Sequence, residues 1–115
     1  MMLDWNEYQK QIAAGNVQIG RINHEIIKGY RGLSEAGNAT NLLGAKVREL
    51  IALAVAVTRE CDGCITVHTD AAIKQGATKE EIVEALSVAI AVNAGAALVF
   101  STRVLDAFDA KTSSL

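Results

Sequence analysis

Residues 45–58 read AKVRELIALAVAVT, and this stretch does most to decide the fold class. Its apolar residues recur at helical spacing along one side: Val47, Leu50, Ile51, Ala54 and Val57, with Leu53 widening the stripe. The part from Ile51 to Val57 could also form a buried strand, because it is apolar and partly β-branched. Its alanines, the charged residues just upstream and the absence of a turn signal favour a helix.

Glycines and polar clusters divide the rest of the chain into further helices. The pattern predicts six: Leu3–Ala14, Val17 to about Leu33, Ala45–Thr58, Cys61–Gln75, Thr78 to about Val92, and Ala96–Ala110. Gly15-Asn16 and Gly95 are the predicted breaks, and residues 34–43 are a predicted loop. Gly76 is expected to cap the fourth helix, and Thr78 with Glu81 forms a capping box that begins the fifth. The expected architecture is all-α, a bundle of about six helices in one domain over residues 1–115.

Composition sets the class of protein. The chain has 115 residues, of which 50% are hydrophobic and 21% charged, and this excludes disorder for most of it. Only 4% are aromatic and none is proline, so a helical core of Ala, Val, Leu and Ile is expected. The formal charge is −2 without a basic cluster, which argues against a nucleic-acid or anionic membrane partner.

The longest apolar stretch runs from Ala85 to Phe100, about 16 residues, and is interrupted by Ser87, Asn93 and Gly95. A membrane-spanning helix needs roughly 20 strongly apolar residues, so we predict no membrane span but a buried helix at a subunit interface. The N-terminal residues lack the apolar stretch of a signal peptide, so the expected location is the cytoplasm. Several almost wholly apolar helices exceed what one small core can bury, and this predicts a homo-oligomer.

Cys61 and Cys64 are the only cysteines and form a Cys-x-x-Cys pair. At the first turn of a helix the two sulfurs of such a pair lie within disulfide reach. The unpaired N–H groups there favour the thiolate, which attacks a peroxide oxygen or a disulfide sulfur. Without a secretory signal the two cysteines are expected to be reduced thiols at rest.

His68 follows Cys64 by four residues, so the two side chains are neighbours on one helix face. The imidazole can take a thiol proton and return it to a leaving group. Cys64 is therefore the candidate nucleophile and Cys61 its resolving partner. Glu49 is the candidate that orients His68, although it could equally face solvent beside Lys46 and Arg48.

Three segments resemble a known family: LLGAKVRELI at residues 42–51, the Cys61-x-x-Cys64-x-x-x-His68 motif, and AAIKQGATKEEI at residues 71–82. They are similar to the alkylhydroperoxidase D-like branch of the carboxymuconolactone decarboxylase family. The resemblance implies an all-α fold assembled as homotrimers or homohexamers. It also implies that Cys64 attacks a hydroperoxide, that Cys61 resolves the sulfenate as a disulfide, and that His68 with Glu49 relays protons. In alkylhydroperoxidase D the residue before the second cysteine is a relay histidine, whereas here it is Gly63.

The expected activity is a peroxidase or disulfide oxidoreductase that reduces a small hydroperoxide and is restored by an external dithiol or protein reductant. This chemistry needs no cofactor and no metal. Three alternatives remain open. The first is a decarboxylase, although that branch of the family lacks the redox cysteine pair. The second is a zinc-bound domain with Cys61, Cys64, His68 and, as a fourth ligand, His24. The third is a binding or assembly module without catalytic thiols.

Overall fold

The computed structural model describes residues 1–113, and this part of the chain is helical without any strand. Six helices follow one another in the chain: α1 Trp5–Ile22, α2 His24–Glu35, α3 Gly37–Thr40, α4 Ala45–Thr58, α5 Asp62–Lys74 and α6 Lys79–Ser113. The predicted all-α class is therefore confirmed. The bounds of α4 and α5 agree with the sequence analysis to within one residue, and the other helices differ from it.

The first predicted break is wrong, because α1 continues through Gly15 and Asn16 and ends at Asn23. Asn23 has extended backbone angles, and its N–H still donates to the carbonyl of Ile19 at 2.8 Å. Its side-chain oxygen accepts from the N–H of Glu25 at 3.2 Å and so caps α2. One asparagine thus ends α1 and begins α2, whereas a glycine inside a helix costs only about 1 kcal/mol and need not break it.

The predicted loop at residues 34–43 holds the end of α2 and the short α3. Arg48 of α4 orders this segment by donating to the side-chain oxygens of Asn38 and Asn41, each at 2.9 Å. A Cβ on Gly37 would lie 2.7 Å from Cδ of Arg48, so a side chain there would require Arg48 to shift. The contacts of Arg48 with residues 7 and 10 positions earlier explain why local sequence did not reveal the helical turn.

The second predicted break is also wrong, because α6 runs through Gly95 for 35 residues. Its start is the predicted capping box: the N–H of Glu81 donates to Oγ1 of Thr78 at 3.1 Å, and the N–H of Thr78 donates to Oε1 of Glu81 at 2.9 Å. The other carboxylate oxygen of Glu81 lies 2.7 Å from Nζ of Lys46. Lys46 first, and then the Thr78 N–H, lower the pKa of Glu81 below its usual value. This ion pair joins the N-terminal ends of α4 and α6.

The packed centre of the chain is formed by α4, with α5 and α6 against it, and α1 covers α5. The buried side chains are small, apart from one leucine: Leu53, Ala56, Thr66, Ala72 and Ala89. Small side chains let the helix axes approach closely. The predicted stripe of α4 is only partly buried in the protomer, because Val47 is 39% and Ile51 is 48% exposed.

A large apolar surface is left open by this arrangement. The accessible area is 9095 Å², against roughly 6,100 Å² for a compact chain of this mass. The radius of gyration is 19.5 Å, against about 13 Å for a compact domain. Along α6 only Ala89 is buried, and the exposed side chains include Leu98, Val99, Phe100, Val104, Leu105 and Phe108. In the protomer this helix is exposed, so its predicted burial at a subunit interface stays a prediction.

By length and composition alone, α6 could cross a bilayer. An 18-residue stretch of it has a mean hydropathy of 2.0, and 6% of that stretch is buried in the protomer. The sequence analysis predicted no span because it counted about 16 apolar residues, from Ala85 to Phe100, against the roughly 20 that a membrane span needs. An apolar helix of a water-soluble assembly passes the same test, so the finding alone assigns no membrane.

Helices α4 and α5 each end in a hydrogen-bonded turn of the same type. After α5, the N–H of Ala77 donates to Ala72 at 2.9 Å and Gly76 adopts φ +85°. After α4, the N–H of Cys61 donates to Ala56 at 3.1 Å, and Glu60 adopts φ +53°. Both are Schellman turns, in which glycine is the favoured residue at the left-handed position. Glu60 occupies that position with a side chain, which costs about 1 kcal/mol.

We therefore predict that Glu60→Gly raises the free energy of unfolding by about 1 kcal/mol, and that Gly76→Ala lowers it by at least as much. Urea denaturation at one fixed protein concentration measures both. The control is Glu84→Gly within α6, where helical φ angles make glycine destabilising by about 1 kcal/mol. A destabilised Glu60→Gly variant would contradict this account of the turn.

Candidate functional site

The cysteine pair lies at the start of α5. Cys61 has extended backbone angles and is the N-cap residue, and its Sγ accepts from the N–H of Cys64 at 3.2 Å. The Schellman turn at Glu60 delivers Cys61 directly into this position. The two Cα atoms are 5.3 Å apart and the sulfurs form a disulfide. The structure thus holds the oxidised pair, whereas the sequence analysis expected reduced thiols at rest.

His68 and Glu49 lie next to each other, as the sequence analysis proposed. Nδ1 of His68 on α5 is 2.7 Å from Oε2 of Glu49 on α4, and both side chains are about three-quarters buried. The alternative that Glu49 faces solvent unpaired is therefore wrong. An ionised Glu49 accepts the proton of Nδ1, which leaves Nε2 as the nitrogen that can exchange a proton with another group.

A cavity of about 980 Å³ lies beside the cysteine pair and His68. Cys61, Cys64 and His68 lie in its lining, and side chains of α1 and α2 form the opposite wall: Tyr8, Ile12, Ile19, Ile26, Ile27 and Tyr30. All four predicted residues are thus brought together, three in the cavity lining and Glu49 behind His68. The wall of isoleucines was missed, because Ile19, Ile22, Ile26 and Ile27 were read as one side of a single helix. The break at Asn23 instead divides these isoleucines between α1 and α2. Ile19, Ile26 and Ile27 line the cavity, whereas Ile22 is exposed.

Helix α1 approaches α5 closely at Gly63. A Cβ on Gly63 would lie 3.1 Å from Cδ1 of Ile12, which is tighter than an ordinary contact. A side chain at this position would need Ile12 to move by a few tenths of an ångström. Gly63 stands where the resemblance places a relay histidine, and the side chain of Ile12 lies against it.

Residues 1–113 contain no set of side chains that converges to bind zinc, as the zinc-bound alternative would require. No group of three or more His, Cys, Asp and Glu side chains there has a geometry that could hold a metal ion. His24 begins α2 and lines a separate, smaller cavity with Asn16 and Arg21. The structure therefore does not bring His24 to the cysteines.

Fold and site together define an all-helical protein with a disulfide-forming Cys-x-x-Cys pair at a helix N-terminus and a histidine–carboxylate pair beside it. The chain belongs to the carboxymuconolactone decarboxylase family, whose sequence model matches residues 25–107. The resemblance seen in the sequence is confirmed at the level of the family.

Similar proteins support this membership. An uncharacterised protein of Haemophilus influenzae is 41% identical over 108 residues, which cover 94% of this chain and 96% of that protein. An uncharacterised protein of Cupriavidus necator is 33% identical and covers 80% of this chain and 81% of its own length. A crystal structure of an apo carboxymuconolactone decarboxylase family protein from Legionella pneumophila is 31% identical with a TM-score of 0.73. That match covers 91% of this chain and 94% of the other.

Proposed function

We propose that the protein is a thiol-dependent peroxidase that reduces small hydroperoxides through Cys61 and Cys64. One observation carries the proposal: the cysteine pair and His68 face one cavity of about 980 Å³, and Glu49 holds His68 from behind at 2.7 Å. A paired nucleophile, a base and a group that orients the base are the parts that covalent catalysis by a thiol requires.

The proposed reaction begins with the reduced pair. Nε2 of His68 takes the proton of the Cys64 thiol, and the sulfur attacks the outer oxygen of the hydroperoxide. The O–O bond breaks, the alcohol leaves with the proton from His68, and Cys64 becomes a sulfenic acid. The Cys61 thiolate then attacks Sγ of Cys64, the S–O bond breaks, and the departing hydroxide takes a proton from solvent and leaves as water. Two thiols thus supply the two electrons and end as the disulfide.

The two cysteines differ in their surroundings, and this supports the division of roles. Sγ of Cys61 accepts the N–H of Cys64 at the N-terminus of α5, where a thiolate is stabilised. This suits a resolving thiolate, which must be present when the sulfenic acid forms. Cys64 is one helical turn before His68 and is the sulfur that the imidazole can serve. An external dithiol or protein reductant then restores the pair.

The first test is the intact mass of the reduced protein before and after one equivalent of an organic hydroperoxide. The wild type should lose two hydrogens, and Cys61→Ser should gain one oxygen on Cys64. Cys64→Ser is the matched control and should keep its mass. An unchanged wild-type mass would contradict the proposal. It would favour the decarboxylase activity for which the family is named, since that reaction consumes no thiols.

The second test concerns the relay. Glu49→Gln keeps the size of the side chain but removes the negative charge that holds the Nδ1 proton of His68. We expect peroxide-driven disulfide formation to slow by roughly 10- to 100-fold at neutral pH. The control is Glu84→Gln on α6, which loses the same charge away from the cavity. A Glu49→Gln variant that reacts at the wild-type rate would exclude the relay while leaving the thiol chemistry intact.

We also propose that the exposed apolar surface of α6 is covered by further copies of the chain. The excess of accessible area over a compact monomer is about 3,000 Å², which is more than a stable interface takes from one partner. We expect light scattering to give three or six times the 12.2 kDa of one chain. Phe108→Glu, in the exposed row of α6, should lower that mass. A monomeric wild type in buffer, or one that needs detergent to stay in solution, would contradict the proposal.

A further inference from the structure

Carboxylates surround the disulfide. Glu60 and Asp62 are the neighbours of Cys61 in the chain, and Glu35 lies across the cavity at the end of α2. All three side chains are exposed and line the cavity. Within residues 1–113 no hydrogen bond or ion pair engages any of the three carboxylates. We call this set the acidic rim.

Positive charge near the disulfide does not balance the acidic rim. Among the described lining residues the cations are Arg31 on α2 and His68, if protonated. The charge of His68 is matched by Glu49 at 2.7 Å, which leaves Arg31 against three carboxylates. Arg59 precedes Glu60 in the chain but is not part of the lining. The approach to the disulfide therefore carries a net negative charge.

We propose that the acidic rim selects the reductant of the Cys61–Cys64 disulfide by charge, favouring a dithiol on a neutral or positively charged carrier over an anionic thiol. This inference rests on the proposed redox function and deepens it, because it assigns the chemical class of the partner.

The chemistry of reduction makes the selection effective. The attacking species is a thiolate, which already carries one negative charge. Its sulfur bonds to Sγ of Cys64, the S–S bond breaks, and the electron pair goes to Cys61, whose thiolate keeps the N–H of Cys64 as donor. A second thiolate of the reductant then displaces Cys64, so the dithiol is oxidised and the pair is reduced. Any further negative charge on the reductant must approach the same rim.

The size of the effect follows from screened Coulomb interactions. As an order of magnitude, a charge of −2 that acts across roughly 10 Å of water slows the attack about threefold for each additional negative charge on the thiol at about 0.01 M ionic strength. The difference in rate between thiols of different charge should nearly vanish at an ionic strength of about 1 M, where the screening length is about 3 Å.

The experiment uses three small thiols whose thiolates differ in net charge: cysteamine at zero, 2-mercaptoethanol at −1 and 3-mercaptopropionate at −2. The rate of disulfide reduction is measured for each and corrected for the thiolate fraction. Division by the rate of the same thiol on 2-hydroxyethyl disulfide removes its intrinsic nucleophilicity. The expected order is cysteamine, then 2-mercaptoethanol, then 3-mercaptopropionate, spanning about tenfold at low salt and converging at high salt.

Charge-neutralising variants locate the effect. Glu60→Gln and Asp62→Asn should each reduce the spread, which is the ratio of the fastest to the slowest normalised rate among the three thiols. The double variant should reduce this spread further. Asp106→Asn on the exposed half of α6 is the matched control and should leave the spread unchanged. Equal normalised rates for all three thiols, or a spread that the rim variants do not narrow, would overturn the inference while the redox function stands. A disulfide that none of the thiols reduces would instead contradict the proposed function.

Discussion

The turn between α4 and α5 is the constraint on which the rest of the site depends. Three residues, 59–61, reverse the chain, and the left-handed conformation of Glu60 lets the N–H of Cys61 reach back to the carbonyl of Ala56 at 3.1 Å. The same residue that closes α4 is therefore the N-cap of α5. Because the two helices then run back along each other, a carboxylate on α4 can meet an imidazole on α5. The disulfide and the Glu49–His68 pair are consequences of one reversal.

What the sequence predicted well was local. The cysteine pair at the first turn of α5, the cap at Gly76 and the reciprocal box of Thr78 and Glu81 each involve residues within one helical turn. The pairing of Glu49 with His68 was reached from chemistry, because a carboxylate amid apolar neighbours needs a partner. These features require no knowledge of how distant segments pack.

The features that the sequence did not reveal depend on interactions beyond one helical turn. Gly15 and Gly95 were expected to break helices, but each costs only about 1 kcal/mol and the flanking helix formers outweigh it. The isoleucines of α1 and α2 have a continuous helical period, and the cap at Asn23 divides them between two helices that line the same cavity wall. The stripe on α4 was recognised, yet Val47 and Ile51 remain exposed in the protomer. Periodicity shows that a face is apolar but not which surface covers it.

The electrostatics of the site contain two opposing influences on the same sulfur. The N-terminus of α5 favours a thiolate at Cys61, whereas the carboxylates of Glu60 and Asp62 on either side of it oppose one. A site built only for a reactive thiolate would have neutral or basic neighbours there. The acidic neighbours act on the approaching reductant as well as on the thiol. In the proposed reaction the hydroperoxide is neutral and passes these carboxylates without an electrostatic penalty, whereas an anionic thiol is repelled. On this proposal the acidic neighbours leave the oxidising substrate unaffected and discriminate among the reductants.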